Sequence, residues 1–99
     1  MQLRLSLFVP GDLEEIADFI AQDSPRHAVR VLRALRVKMK EIAKHPLAYR
    51  LRPEIGLEAR LATVGNYVIL FRILGNAVRI ERVVHGGREL ASILGEAHD

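Results

Sequence analysis

Residues 67–84 read YVILFRILGNAVRIERVV, two runs of β-branched and aromatic residues on either side of Gly75-Asn76. A Gly-Asn pair between such runs predicts a β-hairpin with a two-residue turn. Leu74 then pairs with Ala77, and one face of the ladder takes Ile73 with Val78, Phe71 with Ile80, Ile69 with Arg82 and Tyr67 with Val84. That face is almost wholly apolar and is the side expected to meet the core. The opposite face sets Arg72 against Arg79, Leu70 against Glu81 and Val68 against Val83. Two arginines directly across from each other repel, so they either splay into water or hold an anion between them. Arg82 breaks the pattern, because its parity points to the core. A long side chain there can snorkel out at the sheet end or pair with a helix carboxylate such as Asp18.

Upstream, Ala59 to Thr63 reads as a third strand joined through Gly65-Asn66. A two-residue turn would aim Arg60 at the core, which is unfavourable for a charged group. A three-residue loop, Val64 to Asn66, turns Leu61 inward instead and sets Arg60 on the open face near Arg72; burial favours this register. Arg60, Arg72, Arg79, Glu81 and His85 would then share one face. At the N-terminus, Leu3, Leu5 and Leu7 alternate with Gln2, Arg4 and Ser6, the period-2 pattern of a half-buried strand ended by Pro10-Gly11. Asp12 is placed to cap a helix with Glu15 in the third position, and Leu13, Ile16, Ala17 and Ile20 form its buried face to about Gln22.

Ser24-Pro25 restarts the chain as a second helix to Lys44, with Ser24 as N-cap. Ala28, Val31, Leu32, Leu35, Met39 and Ile42 line one side of it. Arg26, Arg30, Arg33, Lys40 and Lys44 line the other, either as a solvated face or as a docking surface for an acidic partner. His45-Pro46 stops the helix, and the short break at 23–25 predicts an antiparallel helical hairpin. Leu47 to Leu57 reads as a loop, and after His85-Gly86-Gly87 a short helix is expected over about 89–94. The order strand, helical hairpin, three-stranded antiparallel meander and short C-terminal helix describes a two-layer α+β fold. Its helices collect on one face and the other stays open, or is covered by something else.

The totals narrow the function classes. Ninety-nine residues suit one domain, taken here as 1–99. The chain has no cysteine, so disulfides and thiolate metal sites are excluded, in keeping with a reducing cytoplasm. Residues Met1 to Val9 show neither the unbroken apolar run nor the cleavage site of a signal peptide, and no stretch approaches the ~20 apolar residues that span a bilayer, so neither a leader nor a membrane span is expected. His27, His45, His85 and His98 lack metal-ligand spacing, and Gly86-Gly87 lacks the rest of a nucleotide-binding fingerprint; no cofactor or metal is expected. Net charge is +3 with a pI near 9.8, and arginine supplies twelve of the fifteen cations. That bias suits carboxylate or phosphate partners.

Four stretches in order carry a family resemblance. They are residues 12–21 (DLEEIADFIA) with 23–25 (DSP); 45–46 (HP) with 52–56 (RPEIG); 64–72 (VGNYVILFR); and 82–88 (RVVHGGR). The resemblance, to the ParE/RelE superfamily of type II toxin–antitoxin toxins and closest to its ParE branch, extends over nearly the whole chain. The resemblance implies a bacterial, cytoplasmic toxin of a plasmid-stabilising or chromosomal module that arrests growth by inhibiting DNA gyrase. It further implies a cognate antitoxin whose C-terminal segment wraps the toxin as a helix in a groove plus an added strand, and a possible homodimer or toxin–antitoxin hetero-oligomer. Target contact is then expected from Arg60, Arg72, Arg79, His85 and Arg88, and antitoxin contact from Leu13, Ile16, Arg30, Arg33 and Arg82.

The RelE branch instead cuts messenger RNA on the ribosome. That reaction needs a base, an acid and cations for the pentavalent phosphate, and Arg60, Arg79, Glu81 and His85 would be its residues here. The sequence lacks a tyrosine in the tail and the lysine-rich second strand of RelE-like members, so no catalytic residue is expected if the ParE reading holds. A plain interaction module is the third possibility.

Overall fold

The structure, a computed structural model, describes residues 1–87; Arg88 and the expected C-terminal helix lie outside these. Elements follow in the order β1 (Gln2–Leu5), α1 (Val9–Ala21), α2 (Pro25–Lys44), a 3-10 turn (Pro46–Ala48), β2 (Arg60–Val64), β3 (Tyr67–Leu74) and β4 (Ala77–His85). The four strands form one sheet in the order β1-β4-β3-β2, antiparallel except for the parallel pair β1–β4. This is the α+β arrangement expected from the sequence. Glycine occupies the first central position of both hairpin turns, Gly65 at φ +57° and Gly75 at φ +61°, as a type II′ turn requires.

The long helix forms as its sequence predicts. The Ser24 hydroxyl accepts from the His27 N–H at 3.2 Å, while Ala28, Leu35, Met39 and Ile42 are buried and the arginine stripe is exposed. The first helix departs from expectation. It begins at Val9 with no side-chain cap, three residues before Asp12. Proline in a helix's first turn forfeits no hydrogen bond, so Pro10 starts the helix rather than ending a strand. Asp12 is left for another task.

Val9, Ile16, Leu35, Met39 and Ile42 pack on Ala62, Ile69, Phe71, Val78, Ile80 and Val83 of the sheet to form the main core. Tyr49, delivered by the 3-10 turn, meets the fully buried Phe71 edge-on with ring centroids 5.5 Å apart. On the sheet's other side Ile55 and Ala59 close over Leu61, Leu70 and Val84 as a second, smaller core. The loop carrying Ile55 is pinned where Arg52 N–H donates to the Ala59 carbonyl at 2.7 Å. The face expected to be open is therefore half covered by the chain's own loop.

The first strand is not the half-buried element its alternation suggested. Leu3, Leu5 and Leu7 are 37, 49 and 96% exposed, while Ser6 is 4% exposed. β1 is the edge strand of the sheet, and all four of its residues are exposed. Ser6 is buried because it ends the β1–β4 ladder. Its N–H donates to the Ile80 carbonyl at 2.8 Å, its hydroxyl donates to the Glu81 carbonyl at 2.6 Å, and the same oxygen accepts from Phe8 N–H at 3.2 Å. Ser6→Ala removes these two partly buried hydrogen bonds, to the Glu81 carbonyl and from the Phe8 amide, and is expected to cost about 1–2 kcal/mol. A chemical denaturation midpoint equal to that of the parent chain would contradict this.

Candidate functional site: an arginine row beside a bulged strand

The hairpin register follows the prediction from Leu74↔Ala77 through Arg72↔Arg79 to Phe71↔Ile80, and then breaks. Leu70 pairs with Arg82, Ile69 with Val83, Val68 with Val84 and Tyr67 with His85. Glu81 is thus the extra residue of a β-bulge, and beyond it every side chain has the parity opposite to a regular ladder. This removes the anomaly of Arg82, because Val83 takes the core position.

The bulge lies where β1 ends and β4 would otherwise expose backbone groups. Asp12, 8% exposed, fills the gap. Its Oδ2 accepts from the Val83 N–H at 3.0 Å and from Arg82 Nε at 2.9 Å, and its Oδ1 accepts from a terminal guanidinium nitrogen at 3.0 Å. Arg82 also lies 4.8 Å from the centre of the Phe8 ring, a cation–π distance. The helix carboxylate that answers Arg82 is Asp12, not Asp18. A cap in the sequence reading is in fact a clamp between α1 and the edge of β4.

Arg79 and Arg72 remain where the sequence placed them, on the face away from the helices. The Glu81 carboxylate stands 3.4 Å from the Nε of each, and the side chains of Arg79 and Arg72 keep 42 and 35% of their exposure. The parallel pairing adds a residue the sequence reading missed. Arg4 pairs with Arg79, so Arg4, Arg79 and Arg72 line up across β1, β4 and β3. Arg4 is exposed and donates to Gln2 Oε1 at 3.2 Å. Nothing local in the sequence signals this, since β1 and β4 lie more than seventy residues apart.

Two expected members of the group are elsewhere. Arg60 pairs with Phe71 through a two-residue turn at Gly65-Asn66, not the three-residue loop expected, and so takes helix-side parity at the sheet's end. Its guanidinium donates to the Tyr49 carbonyl, which removes the burial objection that favoured the other register. Leu61 correspondingly faces the smaller core rather than the helices. His85 falls on the α1 side, edge-on to Tyr67 with centroids 5.7 Å apart, and its Nδ1 accepts from Gly87 N–H at 3.2 Å. There it lines a cavity of about 310 Å³ with Asp12, Glu15, Ile16, Phe19, Tyr67 and Val83.

Of the residues expected to meet an antitoxin, Ile16 is core, Leu13 packs against that core and Arg82 is engaged by Asp12. Arg30 and Arg33 are exposed beside a shallow groove of about 450 Å³ between α2 and β2, with Ala34, Val37, Thr63 and Val64. In the covering loop, the hydrogen bond from Arg52 holds the exposed Glu54 carboxyl below the usual carboxylate range. Among the described residues, no group of three or more His, Asp or Glu side chains could hold a metal ion.

A family model described as the ParE toxin of the type II toxin–antitoxin system parDE matches residues 5–90. The chain belongs to the ParE toxin family. It is therefore a toxin of a type II toxin–antitoxin module, and membership implies a cognate antitoxin. A solved structure described as the chromosomal ParDE toxin–antitoxin system from P. aeruginosa is similar in fold. Its TM-score is 0.75 at 20% identity, over 86% of this chain and 95% of that one. No curated protein sequence matches the chain. Among the described residues of this ParE-family toxin, no helix is long and apolar enough to cross a membrane.

Proposed function

We propose that this toxin acts in the bacterial cytoplasm by binding and poisoning DNA gyrase, and that its antitoxin neutralises it by occupying its surface. Family membership supports this reading, and the bulge in β4 favours it over messenger RNA cleavage. A ribonuclease needs its acid, base and cations around one phosphate. Here Arg79 and Glu81 lie on one face of the sheet while His85 and Arg60 take the parity of the other. The Glu81 carboxylate is also engaged by two arginines. For the antitoxin, Arg30 and Arg33 beside the α2–β2 groove suit an acidic segment.

Purified toxin added to gyrase is expected to abolish supercoiling and accumulate cleaved DNA. His85→Ala should reduce that effect only in a graded way, because contact is spread over a surface. Unaffected gyrase together with cut ribosome-bound messenger RNA, and loss of that cutting in His85→Ala, would overturn the proposal.

A further inference from the structure

The arginine row offers more than a protein contact. We propose that Arg4, Arg79 and Arg72 form a binding strip for the phosphodiester backbone of duplex DNA. The proposal takes its biological setting from the gyrase reading, since DNA accompanies gyrase, but the binding itself needs no gyrase. Three in-register strands set the three arginines over two inter-strand spacings, roughly 10 Å. Planar guanidinium forks match phosphate oxygens bidentately. Like charges placed side by side weaken a sheet, yet among the described residues only the Glu81 carboxylate answers them on this face. The row therefore keeps a surplus of positive charge after its own ion pairs are counted.

Geometry selects the polyanion. The row runs across the strands, perpendicular to their direction. An acidic peptide adding as a strand to the free edge of β1 would meet Arg4 alone, whereas a charged rod lying along the part of the face that the Ile55 loop leaves open meets all three. Chemistry selects duplex over single strand. Single-strand sites combine cations with aromatic platforms for the bases. Among the described residues the row's register neighbours on this face are Gln2, Leu70, Leu74, Ala77, Glu81 and Arg82, none of them aromatic; the Phe71 ring is buried on the opposite side and the Phe8 ring is taken up by Arg82. Glu81 bridges Arg72 and Arg79, 3.4 Å from the Nε of each, and competes with phosphate for them.

The test is fluorescence anisotropy of the purified chain with a labelled 20-base-pair duplex across a salt series, each variant's thermal melting being checked alongside. Each phosphate neutralised contributes ~0.9 to the log–log salt slope, so three contacts predict a slope between about −2 and −3. Arg4→Ala, at an exposed edge, and Arg79→Ala should each weaken binding several-fold and reduce the slope by about one. Glu81→Gln should tighten binding, an outcome that a purely structural carboxylate would not give. A flat salt dependence, unchanged binding in both arginine variants, or weaker binding by Glu81→Gln would overturn the proposal. So would stronger binding to a poly-glutamate peptide or a single strand of equal charge. A chain that binds duplex but leaves gyrase active refutes the gyrase reading alone; one that poisons gyrase without holding DNA refutes this inference alone.

Discussion

Asp12→Ala is expected to lower the stability of the fold by about 3 kcal/mol, at the low end for breaking a buried ion pair from one side. The carboxylate accepts two hydrogen bonds from Arg82 and one from the Val83 backbone. Its removal leaves a half-buried guanidinium and a buried N–H without that acceptor. The low end is appropriate because the Arg82 side chain keeps 20% of its exposure and can turn toward water. For a domain of this size the loss corresponds to a fall of roughly 12–20 °C in melting temperature. Asp12→Asn keeps an acceptor for Val83 and should cost less. Replacing both partners, Asp12→Leu with Arg82→Met, should recover much of the loss, as swaps of buried pairs for apolar groups often do. If Asp12→Ala melts with the parent chain, the clamp between α1 and β4 is not a stabilising contact.

Phe71→Ala should be at least as damaging, at about 4 kcal/mol. Phe71 is fully buried at the centre of the main core, takes the edge of Tyr49 and pairs with both Ile80 and Arg60 across the sheet. The ring lies in the close-packed core between the sheet and the helices, which relaxes only partially around a deletion. Phe71→Leu, which keeps most of the volume, should cost roughly a third as much. Urea unfolding of the three proteins would rank them, and Phe71→Ala with an unchanged midpoint would mean that the core lies elsewhere. Tyr49→Ala should fall between, through the lost edge contact and the loosened carbonyl that Arg60 uses.

These two positions also mark how far the sequence could be read. Phe71 was legible because strand periodicity and the Gly75-Asn76 turn fix the register around it by local rules. The long helix was legible for the same reason: a cap, an apolar face and a proline stop all lie within its own residues. Asp12 was not, since a carboxylate four residues into a helix looks like a cap, and its true partner lies seventy residues away. Arg82 gave the one hint, a charge whose parity was wrong. That anomaly signalled a register shift, and reading it as a displaced side chain kept His85 on the wrong face. Arg60 was misplaced because a charged group was assumed to need water, whereas a carbonyl at the sheet's end suffices. Arg4 was invisible as part of a row, because parallel pairing between chain ends leaves no local trace. Exposure of Leu3, Leu5 and Leu7 likewise depends on how far the helices reach, which alternation does not encode.

One inserted residue, Glu81, thus works as a half-turn in the wiring of β4. Upstream of it the chain obeys one odd–even rule, downstream the reverse, and hydrophobic packing is satisfied on both sides of the change. A relative with as many residues between its arginine and its terminal histidine, but an unbroken fourth strand, would turn that histidine onto the face of the arginines. Aligning two such chains without a gap would match letters whose side chains occupy different rooms. Chemistry in this scaffold is therefore better inherited through strand register than through the identity of any single amino acid.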